Sequence, residues 1–174
     1  ETGVDHGMLY LPNEQGEYDS GFSWSGLTAV TEAPTGAEPT PFYADNMKYL
    51  NLYSYEEFGL TIEAFTYPNE WAEHDGSAEP EPGVQVSGQT RKPFGFSYRT
   101  KVGNDVNPDL GYKIHLVYGC TASPSEKART TVNDSPEALN FSWDVATLPV
   151  AVTDLKPTSY ICVDSTRVPS SNLT

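Results

Sequence analysis

Residue types that carry catalysis or hold metals are scarce in this chain. It has three histidines, and His6, His74 and His115 stand in different stretches with no short metal-ligand spacing between them. There is no HExxH, no CxxC and no Walker loop, so zinc-hydrolase, redox-dithiol and nucleotide-phosphate chemistry lose their usual sequence support. Cysteine is limited to Cys120 and Cys162, too few for a disulfide framework in 174 residues, and both read as reduced core residues. Cations are few as well: ten Lys and Arg stand against 24 Asp and Glu, a formal charge of −14. A protein that grips DNA phosphates needs a basic patch. The nearest approach, Arg91 and Lys92 with Arg99 and Lys101, reads as a solvated face. No apolar run approaches the roughly 18 residues of a membrane helix. The N-terminus lacks a basic start followed by a hydrophobic stretch. The expectation is a soluble chain that needs neither cofactor nor membrane.

What the chain has in quantity is aromatic rings, eleven Tyr and seven Phe spread along its length, together with acids scattered rather than gathered in a tail. That distribution suits one globular domain over 1–174. Apolar residues alternate with polar ones in short runs separated by Gly, Pro, Asn and Asp, the pattern of half-buried strands. In Lys113 to Tyr118, Ile114, Leu116 and Tyr118 fall on the face expected to cover the core, opposite Lys113, His115 and Val117 on the polar face. In Ala138 to Val145, Leu139, Phe141, Trp143 and Val145 alternate with Asn140, Ser142 and Asp144. Further strands are expected over Gly7 to Leu11, Gly26 to Thr31, Lys48 to Tyr55, Leu60 to Tyr67, Phe94 to Thr100 and Tyr160 to Val163. Eight strands in one domain imply a mainly β fold of two packed antiparallel sheets, sandwich or barrel-like. One short α-helix is expected after Pro68, capped by Asn69 and stopped by Gly76.

Two stretches read as long loops. Glu32 to Phe42 carries Pro34, Pro39 and Pro41, which keep it out of helices and sheet interiors, so it should project from the body. Ser77 to Gly88, with Pro80 and Pro82, is a second extended segment. Loops of this length in a compact domain tend to carry function. Asn104 to Asp109 lacks the ligand alternation and terminal Glu of an EF-hand loop and reads as a turn.

Paired carboxylates serve glycosidases as acid and base, but 24 acids make any pairing uninformative, and a negative solvated surface is the simpler reading. Trp24, Trp71 and Trp143 raise the idea of a stacking platform. Trp143 lies on a core-facing alternation, whereas Trp24, among Ser and Gly, is the better partner contact. Asn133-Asp-Ser, Asn140-Phe-Ser and Asn172-Leu-Thr match the glycosylation sequon. With the tryptophans and acidic loops they support an alternative reading, a secreted β-sandwich module that binds carbohydrate or another ligand.

Six segments, in chain order, resemble the major tail protein of siphophages, the phage tail tube family. They begin with Glu1-Thr-Gly-Val-Asp-His-Gly-Met-Leu-Tyr, then the stretch from Trp24-Ser-Gly-Leu-Thr through Pro39-Thr-Pro-Phe-Tyr to Leu52, and then Glu57-Phe-Gly-Leu-Thr-Ile-Glu through Gly76. They continue with Gly88-Gln-Thr-Arg-Lys-Pro-Phe-Gly-Phe-Ser-Tyr-Arg-Thr, Tyr118-Gly-Cys-Thr-Ala-Ser-Pro-Ser-Glu-Lys and Thr131-Val-Asn-Asp-Ser-Pro-Glu-Ala-Leu-Asn-Phe-Ser-Trp. Together they span nearly the whole chain, which departs from the family's pattern in opening at the strand without a short leader and in stopping at Leu173-Thr174.

The resemblance implies a structural virion protein without catalytic or metal site, assembled in the bacterial cytoplasm. Six copies would form a ring, and stacked rings a tube through which genomic DNA passes without sequence-specific binding. The tail terminator, tape measure and baseplate or tip proteins would be its partners. A tube of one protein needs a contact that closes around the ring and another that repeats along the axis. The stiff Pro-rich arm suits the second, because it loses little entropy on docking. Its expected contact residues are Glu32, Pro34, Glu38, Pro39, Pro41, Phe42 and Tyr43. An acidic bore would not adhere to DNA, and Glu56, Glu57, Glu63 and Asp144 are the expected lining.

Overall fold

The computed structural model describes residues 1–131, 134 and 138–169; the sequons at Asn133 and Asn172 and the chain end at Leu173-Thr174 lie outside the described residues. The strands in chain order are β1 (Thr2–Pro12), β2 (Tyr18–Trp24), β3 (Leu27–Glu32), β4 (Thr35–Gly36), β5 (Pro39–Ala44), β6 (Met47–Tyr53) and β7 (Glu56–Glu57). They continue with β8 (Gly59–Ala64), β9 (Ser77–Glu81), β10 (Val84–Ser87), β11 (Phe94–Val102), β12 (Gly111–Ala122), β13 (Phe141–Thr147) and β14 (Tyr160–Asp164). The fold is mainly β and sandwich-like.

Eight strands form one antiparallel sheet in the order β2-β1-β11-β12-β13-β8-β3, with β14 also paired to β12. The sheet turns over at β12, which pairs β13 only through Cys120–Ala122 and β14 through Lys113–Val117. One layer is then β2, β1, β11 and β12, and the other β13, β8 and β3. The two ends of the ladder meet through the short link Ser25-Gly26. There Phe65 N–H donates to the Gly26 carbonyl (2.9 Å), and Gly7 lies so close to Leu27 that a Cβ would come within 2.5 Å of its side chain.

Alternation follows the period of two that the sequence suggests. In β8, Leu60, Ile62 and Ala64 are buried while the residues between them are half exposed. They meet Leu9, Phe94, Phe96, Val117 and Cys120 from the opposite layer, and Trp143 and Val145 from β13. Three indoles occupy the middle. Trp24 and Trp71 have ring centroids 4.6 Å apart, Trp71 and Trp143 5.4 Å, and Trp24 and Trp143 5.5 Å. The rings cross at 54° to 72°, the tilted arrangement that sets a positive ring edge against a negative face.

Several expectations change. The helix after Pro68 is a single 3-10 turn, Asn69–Glu73, rather than an α-helix, and Pro68 occupies the cap without any side-chain hydrogen bond. Five residues are too few to repay α-helix nucleation, and the turn exists to insert Trp71 into the core. Trp24 is 2% exposed, with its indole N–H donating to the Thr66 carbonyl at 2.9 Å, so it is a core residue and not a partner contact. On β12 the buried face carries His115 and Val117, while Ile114 points outward, because His115 finds polar aromatic partners inside the barrel end. Of the two cysteines, Cys120 is buried and Cys162, on the edge strand β14, is exposed; both are free thiols.

The two expected loops are strand hairpins. The segment from Glu32 runs out through β4 and β5 and returns through β6 and β7, with Phe42 opposite Leu50 and Ala44 opposite Met47. Asp45 and Asn46 both have positive φ, 51° and 60°, as a two-residue type I′ turn requires. Ser77–Glu81 pairs with Val84–Ser87 around Pro82-Gly83, where Gly83 at φ 85° supplies the left-handed turn position. Prolines are compatible with both because each hairpin is two-stranded, leaving a free edge on which no N–H is needed. Asn104 does make the expected turn, its side-chain oxygen accepting from the N–H groups of Val106 and Asn107.

Truncation of Trp71 removes the one ring that touches Trp24, Trp143 and Phe94 together. The expected cost for Trp71→Ala is about 3–5 kcal/mol of unfolding free energy, read as a lower urea midpoint. A loss below about 1 kcal/mol would place the ring outside the cooperative core.

Candidate functional site

Three surfaces outside the core stand out: the arm from Glu32 to Glu57, the outer face of β8 and β13, and the outer face of β12 and β14. The arm contains the expected contact residues. Pro34 precedes β4, Glu38 links β4 to β5, and Pro39, Pro41, Phe42 and Tyr43 lie on β5, all exposed. Every residue of β5 and β6 is exposed except Asn51, which is half-buried. Tyr43, Met47, Tyr49, Leu52 and Tyr53 are each more than half open to solvent. A lone two-stranded hairpin is only marginally stable in water.

Glu32 sits apart from the other arm residues. Its carboxylate accepts a hydrogen bond from the Tyr98 hydroxyl (2.5 Å) and from the Tyr160 hydroxyl (3.3 Å), and lies 3.6 Å from His115 Nδ1. His115, 4% exposed, stacks flat on Tyr98 at 4.5 Å, contacts Tyr160 OH through Nδ1 (2.7 Å) and Thr100 Oγ1 through Nε2 (2.9 Å). These groups close the barrel end across β3, β11, β12 and β14 and fix the root of the arm to the body. The composition of the cluster could not be read from spacing, since its members come from four strands.

The expected bore acids fall in two places. Glu63 and Asp144 share the outer face of β8 and β13, because their neighbours Ile62, Trp143 and Val145 point inward; Asp144 stands opposite Thr61, and Ser142 opposite Glu63. Thr61 Oγ1 donates to Asp144 at 2.7 Å. Glu56 and Glu57 are on β7 at the arm root, and Glu57 lines a shallow cavity of about 290 Å³ that Asp144, Thr61 and Thr147 also line. No histidine lines it.

Five of the ten cations pair with acids among the described residues. Arg99 makes a bidentate pair with Asp5 (2.8 and 2.9 Å), Arg91 and Lys127 flank the buried Asp75, Lys92 pairs with Glu73 and Lys113 with Glu1. Of Arg91, Lys92, Arg99 and Lys101, the first three each lie against an acid. Among the described residues no group of His, Cys, Asp and Glu has the arrangement of a metal site, and no helix is long and apolar enough to cross a membrane.

No protein-family model matches the chain, and no curated protein matches it.

Burial holds His74 and His115 below the ordinary imidazole value, with the Glu32 carboxylate partly opposing this at His115. His74, 3% exposed, donates Nδ1–H to the Lys92 carbonyl (2.9 Å), which suits the neutral ring. As pH falls below about 6.5, the unfolded chain takes up protons that these two rings refuse in the folded state, so stability drops on the acid side. The hydrogen bond from Arg99 holds Asp5 down at about 2, adding a second, solvent-screened loss as pH falls from about 4 towards 2. The melting temperature is expected to decline from pH 7.5 to 5.5, and a His74→Gln/His115→Gln variant to lose most of that slope. An unchanged slope would rule out these rings as its source.

Proposed function

We propose that the chain is a structural subunit of a bacteriophage tail tube, forming hexameric rings that stack around an acidic bore and let genomic DNA pass. The observation that carries this reading is the arm: a long hairpin, rich in large apolar side chains, whose strands β5 and β6 are exposed in all but one residue among those described. Exposed apolar patches of this kind mark protein contacts. A protein that repeats head to tail needs a protruding element whose partner surface lies elsewhere on an identical copy.

Two further features support it. The outer face of β8 and β13 presents Glu63 and Asp144, a wall suited to repelling duplex DNA at short range. Cations are few, ten against 24 acids, and five of them, Arg91, Lys92, Arg99, Lys113 and Lys127, are drawn into ion pairs, which weakens any hold on phosphate. Partners in the virion would be the tail terminator, tape measure and baseplate or tip proteins, with assembly in the bacterial cytoplasm. The carbohydrate-binding alternative asks for a solvent-facing indole, and Trp24, Trp71 and Trp143 are all buried.

Negative-stain microscopy of the purified chain at rising concentration tests this. Stacked rings with a central channel are the expected result, and at higher resolution Glu63 and Asp144 should border that channel. A protein that stays a single subunit at millimolar concentration, or a tube whose bore is lined by Arg99 and Lys101, would overturn it.

A further inference from the structure

The outer face of β12 and β14 is apolar where a solvated sheet would be polar. Ile114 stands opposite Val163 and Leu116 opposite Ile161, and Ile114, Ile161 and Val163 are 36%, 37% and 38% exposed. This strip runs into a cleft of about 220 Å³ lined by Tyr10, Tyr18, Gly95, Leu116 and Tyr118. The cleft is open because Gly95 has no side chain: a Cβ there would come within 2.9 Å of the Tyr18 ring. At the side of the strip, among the described residues, β14 pairs only with β12 and its second edge has no strand partner.

We propose that this strip and cleft are the seat for the β5–β6 arm of a second copy of the chain, with Phe42 or Tyr43 entering the cleft. The proposal rests on the tube reading for the kind of assembly it builds, and it names the receiving surface. Three observations choose this occupant. The seven large apolar side chains of β5 and β6 leave roughly 800 Å² open to solvent over the hairpin's two faces, and Phe42, Leu50 and Leu52 share one of these faces, an apolar surface suited to an apolar strip. Charge permits it: the arm segment from Glu32 to Glu57 has five acids against one cation, Lys48, and the strip's face carries Lys101 and Arg99, the latter offset by Asp5 and Asp109. The geometry also gives direction. Pro39 and Pro41 fall at alternate positions of β5 and cannot donate, which blunts its free edge, so the arm can extend a sheet only through β6. The arm and the strip are different surfaces of one chain, so the contact is heterologous and repeats.

Two variants separate the halves of the contact. One disables the arm (Phe42→Asp with Leu50→Asp) and the other the strip (Ile161→Asp); all three positions are solvent-exposed, and near-ultraviolet circular dichroism of the buried indoles checks that each variant folds. Each alone is expected to stop at the unstacked species, subunit or ring, by sedimentation velocity. Mixed in equal amounts they should pair, intact arm on intact strip, giving a species of twice that mass and no tube. Trypsin supplies an independent readout: Lys48 is the one tryptic site between Glu32 and Glu57. Cleavage there should slow at least tenfold in the wild-type assembly and in the half of the mixed pair whose arm is intact. Wild-type tubes with no pairing in the mixture would overturn the seat and leave the tube reading standing. Pairing without wild-type tubes would support the seat and remove the tube. Neither tubes nor pairing would remove both.

Discussion

The packing of Trp24, Trp71 and Trp143 is the contact on which the rest depends. The three rings come from the end of β2, from the 3-10 turn and from β13, so they tie both layers of the sheet to the one non-strand element in the core. The sheet folds over at β12 where Gly119, at φ 60°, separates the part paired with β14 from the part paired with β13. The indoles hold the folded layers together, since burying each requires the layers to meet at this point, and the area involved makes them the largest single contributors to the core.

Once the sheet is folded over, its two outer faces acquire different characters. The face on β8 and β13 displays Thr61, Glu63, Ser142 and Asp144, while that on β12 and β14 displays Ile114, Leu116, Ile161 and Val163. The first is compatible with water and with a nearby polyanion. The second is an apolar surface of the kind that another protein covers. The Glu32 cluster then connects body to arm: two tyrosine hydroxyls converge on one carboxylate, and His115 packs beside it, so the hairpin leaves the barrel from a fixed point although its own strands are solvated.

Electrostatics acts by segregation. Arg99 with Asp5, Lys113 with Glu1, Lys92 with Glu73, and Arg91 and Lys127 with Asp75 use cations to hold elements together, which leaves the acids of the outer β8–β13 face without cationic neighbours in those pairs. Exposed pairs of this sort add little stability individually. Their effect is on where net charge appears, and hence on which surface of the chain can approach another copy.

Strand positions were legible from the chain alone wherever one face is buried, because the period of two is a local property: Leu60, Ile62 and Ala64 declare β8, and Phe141, Trp143 and Val145 declare β13. The turn pairs Asp45-Asn46 and Pro82-Gly83 are hairpin signals, masked in the sequence by the prolines around them, which favour loops. Composition alone determined the acidic, cation-poor character and the absence of recognisable catalytic motifs. The tertiary structure decided which side of β12 faces in, that Trp24 is core, and that Glu32 belongs to the barrel end. Each of those outcomes turns on partners distant in the chain, as Tyr98 and Tyr160 are from Glu32. Alternation gives two faces to a strand but does not say which one the rest of the fold will cover.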